Sequence, residues 1–245
     1  MNELFDMIFK RKSIRRYDYN LSITEAEMED IRQAIINLRP LVKDIKVKFK
    51  IVESKETTSK RGEYCLLMYS EQKPLYLLNA GYMLEQMDLF LASRNIGACW
   101  YALAKTKELK LDGLEYVIML AFGKSHPEDF RKDFSKTNRK DLETIWKGEH
   151  YSDIGEIVRY APSACNTQPW RVVSEDNCLR IYRTTQIKSF MPAGKLSYYN
   201  SIDMGIFICF LDIALSQKGY KYERILSTEK CNDSELIDIA VYNIE

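Results

Sequence analysis

The chain has 245 residues, with 36 Lys and Arg against 35 Asp and Glu and an apolar fraction of 46%. That length can bury a sizeable core in one large domain or two small ones, and the balanced charge leaves no net field to attract nucleic acid or a membrane, so recognition has to be local. The six cysteines (65, 99, 165, 178, 209 and 231) form no C-x-x-C pair, which signals neither a zinc site nor a redox dithiol. Met1 to Lys12 has charges within its short apolar run and no small-residue cleavage site, and no stretch reaches the ~18 uninterrupted apolar residues of a membrane span; the sequence reads as a cytoplasmic protein with reduced thiols.

Leu4, Phe5, Ile8 and Phe9 recur at helical spacing, so a short helix leads into the basic run Lys10-Arg-Lys-Ser-Ile-Arg-Arg16. Ser22-x-x-Glu25 has the pattern of a capping box, and Met28, Ile31, Ile35 and Leu38 share one helical face until Pro40. Lys46 to Glu53 alternates Val47, Phe49 and Ile51 with charged residues, the period of a half-buried strand. A polar turn at Lys55 to Gly62 leads to a second strand, Tyr64 to Tyr69. Leu75 to Arg94 then predicts a long helix with Leu84, Met87 and Leu91 on a core stripe. Glu115 to Phe122 is a near-continuous apolar run ending in Gly123, as in a central strand, and Lys124 to Lys140 is a charged loop.

From Ser152 the order of elements begins again. Ile154 to Tyr160 leads through a proline-framed loop to a strand at Arg171 to Ser174, a second strand spans Leu179 to Arg183, a long apolar helix spans Ile202 to Gln217, and a last strand spans Ile237 to Asn243. The repetition predicts two structurally similar halves, residues 1–148 and 149–245. Between the two long helices and their strands stand Gly97 and Gly219 at matching places.

The loop Arg159 to Trp170 carries Ser163, Asn166 and Gln168 between Pro162 and Pro169, which each fix a backbone angle and remove a donor. Taken alone it can be a turn that satisfies its own backbone, and the basic run can be a solvated face. Gly97 alone reads as a helix C-cap, Trp100 and Trp170 as core aromatics, and Cys99 and Cys165 as packing residues. His126 and His150 sit in no spacing that suggests a triad or a metal centre.

Together, Arg11-x-Ser13-x-Arg15 followed by an aromatic, and Ala161-Pro-Ser-x-x-Asn-x-Gln-Pro-Trp170, resemble the nitroreductase family of flavin enzymes. Asn95-Ile-Gly-Ala-Cys-Trp100 resembles the family's turn beside the reactive flavin edge, and Arg139-Lys-Asp-Leu-Glu-Thr-Ile145 its basic segment near the FMN phosphate. The resemblance implies an α+β nitroreductase-like fold, with mostly antiparallel sheets flanked by helices, and FMN as cofactor. It implies Arg11 and Ser13, with Lys12 beside them, at the phosphate and ribityl end, and Arg15 toward the pyrimidine edge. Arg139 would be a second phosphate group, Gly97 and Ala98 would pass near flavin N5, and Pro162, Ser163 and Asn166 would close the other side, with Gln168 bracing the loop.

By the same resemblance, members with one copy of the fold are intertwined dimers whose flavin sites take residues from both subunits. The first half here keeps the basic motif but has Arg39-Pro-Leu-Val-Lys-Asp44 in place of the Pro-Ser loop, while the second keeps the loop and lacks the basic motif. The expectation is a monomer acting as a fused pseudo-dimer, with one FMN per chain. The implied activity is hydride transfer from NAD(P)H through flavin N5 to a nitroaromatic, quinone or similar small acceptor, with the cofactor doing the chemistry and no residue required as acid or base. The family also covers dehalogenating chemistry, and a non-catalytic FMN-binding sensor or storage protein fits the same residues.

Overall fold

In the computed structural model, which describes residues 2–102, 104–228 and 235–245, the chain opens with α1 (Phe5–Lys10), anchored by the buried Ile8. Cys231 lies outside the described residues. α2 (Glu25–Ile36) turns Met28 and Ile31 into the core. Its capping box forms at Thr24 and Glu27, two residues beyond the expected pair: the Glu27 amide donates to the Thr24 hydroxyl at 3.3 Å and the Thr24 amide to the Glu27 carboxylate at 2.9 Å. Ile23 is the reason. Its side chain is buried and its amide donates to the Glu63 carboxylate at 2.9 Å, which keeps it out of the helix and moves the start downstream.

β1 (Val47–Glu53) and β2 (Tyr64–Ser70) pair antiparallel before α3 (Tyr76–Ser93). β3 (Ile96–Trp100), β4 (Lys110–Leu111) and β5 (Leu114–Lys124) complete a sheet of order β1-β2-β5-β3, with β4 on β5. The segment expected as a turn, Asn95 to Trp100, is thus mostly strand. Asn95, at φ 56°, supplies the left-handed residue that stops α3, and Gly97 lies inside the ladder opposite Gly123.

α4 (Leu142–Ile145) and β6 (Trp146–Lys147) precede α5 (Ser152–Val158), β7 (Trp170–Glu175) and β8 (Cys178–Thr184). α6 (Ala193–Gln217), β9 (Tyr222–Leu226) and β10 (Leu236–Ile244) follow, and the second sheet has the order β6-β7-β8-β10-β9, with only the β6–β7 pair parallel. α6 begins nine residues before the apolar run that announced it. Its first turns are polar, and the Tyr198 and Tyr199 hydroxyls tie them down by donating to the Val117 and Ala102 carbonyls at 2.9 Å. β9 was not expected at all, since Glu223 and Arg224 interrupt its apolar pattern.

α3 and α6 pack directly on each other at the centre, and glycine makes the approach possible. A Cβ on Gly81 would lie 1.9 Å from the Ile202 carbonyl oxygen, and one on Gly205 would lie 2.0 Å from the Leu78 carbonyl oxygen. Both contacts are backbone against side-chain space, so no rotamer change could relieve a larger residue. By length and composition α6 could cross a membrane, with mean hydropathy 1.3, but 83% of that stretch is buried within the protein. A helix surrounded on every side is apolar on every side, and α6 is a core helix of this kind.

Candidate active site

The loop between α5 and β7 holds three non-glycine residues in the left-handed region: Cys165 at φ 52°, Asn166 at φ 55° and Gln168 at φ 49°. Such conformations cost of order 1–3 kcal/mol each and persist only where the surroundings fix them. Here the Gln168 amide donates to the Ser163 hydroxyl at 2.9 Å, and the Lys140 amide donates to the Gln168 side-chain carbonyl at 2.8 Å. The Thr167 hydroxyl donates to Asn200 at 3.0 Å. The Ala164 amide reaches both carboxylate oxygens of Asp203 on α6, at 3.0 and 3.1 Å. Burial lifts the Asp203 carboxyl well above its ordinary range, and the Ala164 bond only partly opposes it.

Arg11, at the end of α1, is 1% exposed. Its Nη2 lies 3.0 Å from Asp88 and donates to the Ser13 hydroxyl at 3.3 Å. Its Nε is 3.8 Å from Glu85, an ionic approach too long for a hydrogen bond, so both atoms lack a hydrogen-bond partner. Trp100 Nε1 donates to both Glu85 and Asp88 at 3.2 Å. Burial raises both carboxyls, and the neighbouring Asp88 pushes Glu85 further up, while Arg11 opposes the shift in each. The arm then runs alongside β3, where the Ile14 amide donates to the Ala98 carbonyl at 2.9 Å.

Arg131 and Arg139 lie near Arg11, and Arg159 lies near Arg139. Burial, then Arg11 and Arg131, bring Arg139 down to about 10. Burial, then Arg11, brings Arg131 down to about 10. Arg159 pairs with Glu156 at 3.1 Å, but among the described residues neither Arg131 nor Arg139 forms an ion pair with a carboxylate. Arg11 Nε, Arg131 Nη1, Arg139 Nε and Arg159 Nε are buried without a hydrogen-bond partner. Cations that repel one another while holding unused N–H donors form a cradle for an anion, and a phosphate dianion fits the charge and the donor set.

Beside this cluster lies a cavity of about 240 Å³. Ser13 and Arg15 enter it from the arm, Trp100 and Tyr101 from the end of β3, Pro162 to Cys165 from the loop, and Ile202 and Asp203 from α6. The N-terminal arm and the Pro-Ser loop therefore meet at one cleft. Of the residues singled out in the sequence, Ser13, Arg15, Pro162 and Ser163 are on the cavity wall. Arg11 and Arg139 are in the cation cluster, and Arg139 Nη1 donates to the Asn166 side-chain carbonyl at 3.1 Å, so Asn166 joins cluster to loop. Lys12 is exposed. Gly97 and Ala98 stand behind the wall in the sheet, where a Cβ on Gly97 would meet Ser125 Oγ at 2.7 Å and Ile14 Cγ2 at 2.9 Å.

Sequence reasoning passed over Arg131, Arg61, Tyr101 and Asp203. Arg131 sits in a charged loop that reads as solvated, and Arg61, whose guanidinium lies 4.8 Å from the Tyr101 ring centre, sits in a polar turn. Only Asp203 left a legible mark: a carboxylate in the apolar run Ile202-Asp-Met-Gly-Ile206.

The chain aligns over 98% of its length, and over 93% of the other chain, with the crystal structure of "a putative nitroreductase" from Thermotoga maritima, at 18% identity and TM-score 0.67, a likeness of fold. A "putative NADH dehydrogenase/NAD(P)H nitroreductase" from Bacteroides thetaiotaomicron matches 59% of this chain and 96% of its own at 17% identity, TM-score 0.44. A "putative nitroreductase in complex with FMN" from Desulfovibrio desulfuricans matches 62% and 99%, again at 17% identity and TM-score 0.44. No curated protein matches the chain. Residues 3–215 match the family described as "Putative TM nitroreductase", and with most of the sequence inside that match the chain belongs to this nitroreductase family.

Proposed function

We propose that the protein is an FMN-dependent oxidoreductase that passes hydride from NAD(P)H to a small electrophile such as a nitroaromatic or quinone. The observation that carries this reading is the pair Arg131 and Arg139, two cations that form no ion pair with a carboxylate among the described residues and lie beside the loop that walls the cavity. FMN, when bound, supplies the hydride chemistry. Arg11, Ser13, Arg131 and Arg139 hold its phosphate end, with exposed Lys12 adding positive charge nearby. Arg15 presents positive charge to the cavity, where it favours an electron-rich ring. Pro162 and Ser163 close the opposite wall, and Asn166 keeps Arg139 aimed. Gly97 and Ala98 carry the strand that fixes Trp100 to Ala102 at the wall.

The chain would act as a fused pseudo-dimer. Support comes from the matching strand orders β1-β2-β5-β3 and β7-β8-β10-β9, and from the α3–α6 crossing. Gly81 packs on Ile202 and Gly205 on Leu78, so residues 124 positions apart exchange roles, as across an isologous two-fold interface. The same separation links Asn95 with Gly219, both left-handed, and Asp88 with Asp212. It also links Trp100, which donates to Asp88, with Arg224, which donates to Asp212. Around Asp212 the polar groups are paired with one another: Tyr82 and Tyr242 donate to it at 2.8 and 2.7 Å in addition to Arg224. A second cavity of about 860 Å³ opens beside this carboxylate, lined by Arg39, Tyr82, Tyr222 and Arg224, but no Pro-Ser loop borders it, which supports one FMN per chain. Five unpaired cysteines among the described residues suit a reducing, cytoplasmic setting.

Fluorescence titration of apoprotein with FMN tests this directly, with one equivalent expected per chain. Anaerobic mixing of the loaded protein with NADH or NADPH should bleach the flavin, and a quinone should restore its colour. Two equivalent sites would sink the fused-pair reading. An unreactive bound flavin would sink the oxidoreductase reading.

A further inference from the structure

Asp203 has no part in holding the cofactor, yet its carboxyl is in the cavity wall and only 4% exposed. The groups around it are few. The Ala164 amide of the loop donates to it, and Glu85 on α3 lies within electrostatic reach, its own carboxyl pushed up in part by Asp203. Arg15 and Arg61 line the same cavity, together with Cys165, Tyr101 and Tyr199, and burial shifts the carboxyl well above its ordinary range, toward the neutral form.

Fastening the loop does not need an acid. Asn79 on α3 does the same work with an amide: its side-chain carbonyl accepts from the Leu41 and Val42 amides at 2.8 and 3.0 Å. Asn79 and Asp203 are 124 positions apart, the separation of Gly81 and Gly205. Where the equivalent loop borders no Pro-Ser wall the residue is an amide, and where the loop walls the cavity it is a carboxyl. The difference between the two side chains is an exchangeable proton.

We propose that Asp203 stores a proton at the cavity wall and delivers it to the electron acceptor during its reduction, an inference that rests on the flavin reading. The acceptor gains hydride, two electrons and one proton, from the reduced cofactor, which is thereby oxidised. The acceptor oxygen that receives the displaced electron pair takes the second proton as the Asp203 O–H bond breaks. The carboxylate left behind is steadied by the Ala164 amide and takes a proton from solvent before the next cycle.

Asp203→Asn and Asp203→Glu test this in the FMN-loaded protein. Stopped-flow mixing of the reduced Asp203→Asn protein with a quinone should show reoxidation slowed by about 10²-fold or more, with its solvent isotope effect lost and flavin reduction by NAD(P)H changed far less. Asp203→Glu should recover part of the rate. A purely structural role would weaken FMN binding and slow both half-reactions together, and that result overturns the proposal, as does an unchanged reoxidation rate. Two measurements on apoprotein stand apart from turnover. The infrared absorption of protonated carboxyls at neutral pH should lose one component in Asp203→Asn, a different one from the component lost in Glu85→Gln. The wild-type folding equilibrium constant should fall by up to about tenfold more per pH unit than that of Asp203→Asn as pH rises above the unfolded carboxyl range, because only the wild type takes up this proton on folding. If the wild type binds no FMN, the flavin reading and the delivery step fail together, while the infrared band still decides whether Asp203 holds a proton.

Discussion

Replacing Arg131 by Met should make the apoprotein more stable and the FMN complex weaker. Arg131 is held at about 10 against an ordinary value of 12.5, first by burial and then by Arg11. At ~1.4 kcal/mol for each tenfold change in proton affinity, its charge costs the folded state about 3 kcal/mol before screening. The side chain is only partly buried, so water reduces that to about 1–2 kcal/mol. Its folded value lies below its unfolded one, so the penalty is present at every pH below about 10 and fades as pH climbs from there toward 12.5. Methionine keeps most of the aliphatic stem and removes both the charge and the orphaned Nη1 donor.

Urea unfolding of apoprotein at neutral pH should therefore show Arg131→Met gaining about 1–2 kcal/mol, read from the midpoint at constant m. FMN should bind less tightly by about 10- to 150-fold, the loss of one charge-assisted hydrogen bond of about 1.5–3 kcal/mol. Inorganic phosphate should raise the melting temperature of wild-type apoprotein, and do so less in the variant. An apoprotein destabilised by the substitution, with FMN affinity unchanged, would refute the idea that the cluster is a strained anion cradle.

Two other sites give sharp outcomes. Gly81→Ala and Gly205→Ala each force a methyl to about 2 Å from a carbonyl oxygen of the opposite helix, so each should cost at least about 1–3 kcal/mol in urea unfolding; a neutral effect at either would mean that the helices are not held this close. Glu85, raised by burial and by Asp88, takes up a proton on folding, so wild-type stability should fall as pH rises from the unfolded value. Glu85→Gln, which keeps an acceptor for Trp100, should flatten that slope above the ordinary carboxylate range. An identical slope in wild type and variant would show that Glu85 is ionised in the folded protein.

Much of the fold was legible because its signals were local. Alternation at Val47, Phe49 and Ile51, the stripe of α3 and the apolar run of β5 each follow from one element burying one face, and each element formed. What escaped depended on distant partners. The helix cap moved to Thr24 because Glu63, far along the chain, takes the Ile23 amide, and β9 formed because β10 pairs with it, although its own residues alternate charge. At the site, the Pro-Ser loop and the arm were readable as motifs, since their chemistry is concentrated in a few adjacent residues. Arg131 and Arg61 were not, because an isolated arginine in a polar segment acquires a role only through what the fold brings beside it.

On the fused-pair reading, the departures from symmetry carry the most information. In a dimer of identical chains, a substitution that improves one cleft appears in the other as well, so both must tolerate it. Within one chain, position 100 can be a tryptophan at the cavity wall while position 224 is an arginine locked to Asp212, and position 203 can be an acid while position 79 is an amide. The α3–α6 crossing cannot diverge so freely, because each glycine faces the other helix's backbone and either replacement would drive the pair apart. The symmetric part of the molecule is thus the part that packing constrains, and the asymmetric part is where the two clefts have been free to differ: a cavity walled by the Pro-Ser loop and a buried acid on one side, a wider one lined by tyrosines and an aspartate paired to arginine on the other.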